Sequence, residues 1–273
     1  MNFKHKIKDQ LRLLRKKIGS NLFNISELNF LIPGEIKFDQ FSELIKNLSS
    51  LSSVKKIIEI GSSSGDGSTK SFIEALSKRK DLEEITFICL ELSNVRFKKL
   101  QNYLTPYKFA TAYNLSSVDI SSFQSEEQVR EFYISRETNL NKNSLSTVLS
   151  WRKQDIEFIK SSGRNICGIE AIKRSQGFDS FDLCLIDGSE FTGKAELDYL
   201  LGTKYILLDD TESLKCKEAF EILNTRNDYE LIEYQPYCRN GSRHLRKKYI
   251  FENKFFKLKF KELKINFVIM ING

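Results

Sequence analysis

Apolar and polar positions along this chain follow two periods. Phe3, Ile7, Leu11, Leu14 and Ile18 recur at helical spacing and predict an amphipathic helix. Phe38, Phe41, Leu44, Ile45 and Leu48 do the same and predict a second helix over residues 38–51. The period then shortens. Residues 54–60, Val-Lys-Lys-Ile-Ile-Glu-Ile, are rich in β-branched side chains and read as a strand. That strand runs into Gly61-Ser62-Ser63-Ser64-Gly65-Asp66-Gly67, a turn of small residues. Beyond it Phe72, Ile73 and Leu76 make the apolar stripe of a helix, with Ser68 or Thr69 as its expected N-cap. Four further apolar runs follow, at residues 85–90, 109–113, 181–186 and 205–208. Each closes on polar chemistry: Glu91, Asn114, Asp187, and the pair Asp209-Asp210. Residues 230–234 and 244–251 read as late strands flanking an Asn240-Gly241 turn.

Strands that alternate with helices and end on polar residues predict an α/β fold, a doubly wound, mostly parallel sheet. Ligands of such sheets bind at the carboxyl ends of the strands, where those residues collect. The expected organisation is a basic, helical N-terminal extension (residues 1–50), the α/β domain (51–251) and a basic C-terminal tail (252–273). The stretch from about 115 to 163 is too long for one crossover. It predicts two helices, near 126–133 and 147–160, the second carrying Trp151, Ile156 and Ile159, and is expected to sit as a lid over the site.

Composition narrows the function. A chain of 273 residues with 40% apolar and 29% charged residues can bury a full core. No apolar run approaches the ~18 residues of a membrane span, and no secretory leader is expected. Five cysteines without CxxC spacing read as reduced thiols of a cytoplasmic protein. With only His5 and His244, a histidine-rich metal centre is excluded, so any metal must be held mainly by carboxylates. The net charge of +7 is unevenly spread. Residues 1–17 carry a net +6 and residues 239–264 a net +8, which leaves the remainder at −7. Basic ends are solvated helix and strand faces in the plainer reading. In the sharper one they meet an anionic partner, either the inner face of a membrane or nucleic acid.

A strand, a glycine-rich turn and a helix together form a cradle for an anionic or carboxylate-bearing cofactor, because glycines admit the backbone and the helix start offers free N–H groups. A P-loop is excluded, since Asp66 and Gly67 stand where Gly and Lys belong. The GxGxxG fingerprint fails at Lys70. What stands is Glu59-Ile60-Gly61-Ser62-Ser63-Ser64-Gly65-Asp66-Gly67. This string resembles motif I of the class I S-adenosylmethionine-dependent methyltransferases. The resemblance spans about residues 54–251 and implies S-adenosylmethionine held by Glu59, Gly61, Ser62, Ser63 and Gly65. It also implies that Glu91 bonds the ribose hydroxyls and that Asn114 lies near the adenine. A carboxylate suits a vicinal diol because it accepts two hydrogen bonds at once.

Asp187-Gly188-Ser189-Glu190 and Asp209-Asp210 end strands that should be neighbours, so three carboxylates should converge. Unless a cation neutralises them they repel, and hard oxygen ligands favour Mg²⁺ or Ca²⁺. The pattern is similar to the metal-dependent sugar O-methyltransferases of the macrocin O-methyltransferase-like group. That resemblance implies Asp187, Asp209 and Asp210 as Mg²⁺ ligands, with Asp187 also a catalytic group. The chain departs from the group at Ser189, where a second acid is usual, and Glu190, one position further on, is the candidate catalytic base. The expectation is O-methylation of a sugar hydroxyl on a small-molecule or glycan acceptor, in a protein that can self-associate. Two rivals are a nucleic-acid methyltransferase and a non-catalytic cofactor-binding subunit. Against the first, no Asn-Pro-Pro-Tyr-like box follows strand four.

Overall fold

The computed structural model describes residues 27–235 and 242–247. The N-terminal amphipathic pattern, the Asn240-Gly241 turn and the basic tail lie outside them. Seven strands form one sheet: β1 (Lys56–Ile60), β2 (Thr86–Leu90), β3 (Ala110–Tyr113), β4 (Leu183–Ile186), β5 (Tyr205–Leu208), β6 (Tyr229–Gln235) and β7 (Ser242–Lys247). Eight α-helices are described: α1 (Gln40–Ser49), α2 (Ser68–Leu76), α3 (Asn94–Leu104), α4 (Glu126–Ser135), α5 (Leu145–Ser162), α6 (Gly168–Gln176), α7 (Gly193–Leu200) and α8 (Leu214–Thr225). Strand order is β3-β2-β1-β4-β5-β7-β6. The first five strands are parallel, and β7 runs antiparallel to both of its neighbours. The chain winds outward from β1 to β3, then returns to place β4 on the other side of β1. That reversal between β1 and β4 is the switch point at which such sheets bind ligands.

Strand alternation divides the core in two. Ile58, Ile60, Ile88, Leu90, Cys184, Ile186, Ile206 and Leu208 face one side, where the helices between β3 and β6 pack. Ile57, Phe87, Cys89, Leu183, Leu185 and Leu207 face the other, covered by α1, α2 and α3. Both faces of β1, β2, β4 and β5 are buried, which explains runs of apolar residues where a half-exposed sheet would alternate. The α1 helix, expected in an extension, contributes Phe41, Ile45 and Leu48 to this core. It starts later than the periodicity predicts. Asp39 is its N-cap, accepting from the Ser42 N–H at 2.7 Å while the Ser42 hydroxyl accepts from the Asp39 N–H. Phe38 therefore falls outside the helix, 88% exposed and with φ of 55°.

The insertion between β3 and β4 is packed into the sheet face. Val129, Phe132, Val148 and Ile159 join the same cluster as Ile60 and Ile186, while Trp151 and Ile156 stay half-buried. Among the described residues no helix is long and apolar enough to cross a membrane.

Phe72 is fully buried on α2 and packs against Phe87, with ring centroids 4.9 Å apart and the rings tilted by 36°. Phe72→Ala leaves a cavity in this core and should lower stability by about 3–5 kcal/mol, read from urea unfolding monitored by circular dichroism.

Candidate functional site

The register of the sheet assembles the site. Ile60 pairs with Leu90 and with Ile186, Leu90 pairs with Tyr113, and Ile186 pairs with Leu208. The next residues along each strand, Gly61, Glu91, Asn114, Asp187 and Asp209, therefore emerge in one row.

At β1 the chain turns through Gly61 (φ 82°), Ser63 (φ 50°) and Gly65 (φ 79°). Gly61 has no tolerable substitute here, because a Cβ would lie 2.0 Å from the Asp187 carbonyl oxygen. The Gly61 and Ser62 N–H groups both donate to the Leu90 carbonyl, at 3.1 and 3.0 Å, which closes the turn onto β2. The Ser63 hydroxyl oxygen is buried without a hydrogen-bond partner, in a backbone conformation that non-glycine residues rarely adopt. An orphaned donor in a strained turn is what a ligand-binding cradle presents, and the S-adenosylmethionine assignment fits these residues.

Glu59 lies near the end of β1, shortly before Gly61. It is fully buried beneath the turn, and its carboxylate accepts from the Ser68 and Thr69 hydroxyls, the latter at 2.6 Å. Those hydroxyls are thereby diverted from capping, and α2 begins after Gly67 with no side-chain cap bond. Burial pushes the Glu59 carboxyl above its usual range, against the opposing pull of the Ser68 and Thr69 hydroxyls. Glu59 thus shapes the cradle from below. Above it, Gly34 lies against the Asp66–Gly67 backbone, and Lys37 pairs with Asp66 at 2.6 Å.

Glu91 is 5% exposed and accepts from the Ser93 N–H at 2.7 Å. Burial raises its pKa, while the Arg96 charge lowers it. The side-chain amide of Asn114 donates to the carbonyls of Glu91 and Leu92, at 2.7 and 2.9 Å. Asn114 is thus a brace for the turn that carries Glu91.

Across the switch point, Asp187, Asp209 and Asp210 bring carboxylate oxygens within 4.8 Å of one another. Asp209 is fully buried, and Asp210 is held at φ of 55°. A cation from the chain itself lies among them, brought by tertiary contact and not by any local pattern. The Lys215 ammonium lies 2.8 Å from Asp187 and 2.7 Å from Asp210. Burial pulls its pKa down, but the surrounding acids outweigh this and hold it well above the usual value. Glu190 is drawn to the same place, accepting from the Lys215 N–H at 3.2 Å, and burial pushes its carboxyl up. Carboxylate oxygens are hard donors of the kind that suits Mg²⁺, and the Lys215 ammonium lies against two of the three aspartates.

Two further acids complete the surroundings. Ser189 donates to Asp155 of α5 at 2.6 Å, so the insertion brings a carboxylate to the loop after β4. Glu196 of α7 is fully buried and accepts from Ser117 at 2.6 Å and Thr192 at 2.8 Å. It tucks beneath Gly188, where a Cβ would meet its carboxylate at 2.4 Å. The loops after β3 and β4 are thereby joined. A cleft of about 450 Å³ lined by Glu137, Thr138, Asn139, Asn141, Lys142 and Glu212 opens between the insertion and the loop after β5.

No protein family's sequence profile and no curated protein matches this chain. Solved structures similar to it include an O-methyltransferase from Bacillus cereus in complex with S-adenosylhomocysteine, at 9% identity and TM-score 0.47, covering 88% of this chain and 90% of that one. A methyltransferase from Geobacter sulfurreducens is similar at 10% identity and TM-score 0.44, covering 78% of this chain and 82% of that one. A methyltransferase from Podospora anserina with bound S-adenosylhomocysteine is similar at 12% identity and TM-score 0.45, covering 91% of this chain and 98% of that one.

A carboxyl whose folded pKa lies above its unfolded value holds its proton more readily in the folded state. Its contribution to stability therefore falls as pH rises from the unfolded value through the folded one. Glu59 has that sign, with an ordinary value of 4.5. Glu59→Gln carries no such proton, so its Tm should gain on wild type as pH rises from 4.5 towards neutral. Thermal melts across that range check this, and a pH-independent difference contradicts it.

Proposed function

We propose that this protein transfers a methyl group from S-adenosylmethionine to a hydroxyl oxygen of a sugar-bearing small molecule or glycan. The observation that carries the reading is the level row at the switch point, which sets a strained glycine turn and Glu91 beside an acidic cluster. Bound S-adenosylmethionine would supply a sulfonium methyl, electrophilic enough that alignment and deprotonation of the acceptor are what remain for the protein. The turn around Gly61 and Gly65 admits the cofactor's amino-acid end, Ser63 offers its unused hydroxyl, and Glu91 accepts from the ribose diol. Asn114 and Glu59 hold those groups in place.

On the acceptor side, Asp187 is the carboxylate suited to take the hydroxyl proton, since at the end of β4 its backbone touches Gly61 of the cofactor turn. The oxygen–methyl bond forms as the sulfur–methyl bond breaks, and the proton leaves to carboxylate. Glu190, tied to the start of α8, supports this group. Asp187, Asp209 and Asp210 would hold Mg²⁺, which lowers the pKa of a coordinated hydroxyl. The polar cleft beside Glu212 suits a polyhydroxylated acceptor better than an apolar one. A lipid-linked acceptor made at a membrane would give the basic ends a use, and Phe30 and Leu31, 48% and 47% exposed, follow the basic N-terminal segment.

Incubation with methyl-labelled S-adenosylmethionine and a panel of oligosaccharide, nucleoside-sugar and RNA acceptors tests this. Transfer to sugar hydroxyls is expected, slowed by chelation and reduced about a hundredfold or more in kcat by Asp187→Asn. Transfer to RNA alone, or cofactor binding without transfer to any acceptor, contradicts the reading.

A further inference from the structure

The acidic cluster already has a cation, and the chain builds its position with care. Lys215 is the second residue of α8. Two contacts fix its backbone. Its N–H donates to Glu190, and its carbonyl oxygen lies so close to Gly193 that a Cβ there would come within 1.7 Å. Only glycine at the start of α7 lets α8 begin at that depth. From this anchored start the side chain, 12% exposed, reaches Asp187 and Asp210 together. Asp209 lies within the same 4.8 Å set of oxygens, and its charge adds to the field at the ammonium.

An ammonium is a compact point charge on a flexible stem. It lies against the same oxygens that a divalent ion would coordinate, and two cations held a few ångströms apart in a half-buried site repel strongly. We propose that Lys215 is the resident counter-ion of the Asp187–Asp209–Asp210 cluster, and that a divalent cation enters only by displacing it. Lysine and metal are then alternative occupants of one site. This rests on the metal-assisted part of the function proposed above. It follows that the carboxylates stay assembled without metal, and that divalent affinity is held low by the two ion pairs that must break. The lysine acts here as a positioning residue, through the aspartates.

The test is calorimetric titration of Mn²⁺, a divalent ion that suits carboxylate oxygens, into the full-length wild type and into Lys215→Met and Lys215→Arg. The methionine variant should bind Mn²⁺ about tenfold or more tightly than wild type, while the arginine variant should not. Without metal the methionine variant should melt below wild type and recover on adding Mn²⁺. Lys215→Gln, which keeps a polar head, takes its place should Lys215→Met fail to fold. Equal or weaker affinity in the neutral variant overturns the competition and leaves metal binding standing. Tight binding by the arginine variant overturns it as well, since charge would not be the cause. No Mn²⁺ binding in any of the proteins overturns this proposal and removes the metal from the function proposed above.

Discussion

Parallel pairing of β1 with both β2 and β4 constrains everything else in this molecule. With Ile60 opposite Leu90 on one side and Ile186 on the other, three strands end level and their chains must part in little space. The approach of Gly61 to the Asp187 carbonyl is the consequence. A side chain at position 61 would pry β1 from β4 and take the register with it. The same crowding makes the turn strained, and the strain leaves the Ser63 hydroxyl buried and unused. A cradle and an acidic cluster share one edge because the strands that carry them cannot end anywhere else.

Charge is the second constraint. Buried carboxylates are costly unless paired or neutralised, and those near this edge draw on several kinds of partner. Glu59 receives hydroxyls from the helix it supports, Glu91 backbone N–H groups and the Arg96 charge, and Glu196 the hydroxyls of Ser117 and Thr192. The Asp187 and Asp210 carboxylates receive an ammonium. That last pairing lies where the proposed chemistry calls for a cation.

The sheet was legible because β-branched runs and their polar terminators are local signals. All seven strands, the helical insertion and the row from Gly61 to Asp209 follow from them. What escaped was set by tertiary contact. Phe38 has the spacing of a helix face, yet Asp39 caps the helix one residue later, and no periodicity records a cap that excludes its neighbour. Ser68 and Thr69 are good capping types, but the buried Glu59 takes their hydroxyls. Lys215 pairs with an aspartate 28 residues away, and Asp155 with a serine 34 away. Such pairs carry no mark in the sequence until α8 and α5 are seated. Glycines at 188 and 193 were the available hint, since each marks a close approach of another element.

The account depends most on the glycine turn and Glu91 forming one cofactor site. Calorimetric titration of S-adenosylhomocysteine into the full-length protein, with Glu91→Ala beside it, tests that directly. Binding at about micromolar Kd, near −8 kcal/mol, that Glu91→Ala weakens by about a hundredfold, a loss of the size that follows when a charged hydrogen-bond acceptor is removed, is the predicted result. No heat and no thermal stabilisation of the wild type would contradict it, leaving an α/β sheet whose switch point serves some other ligand.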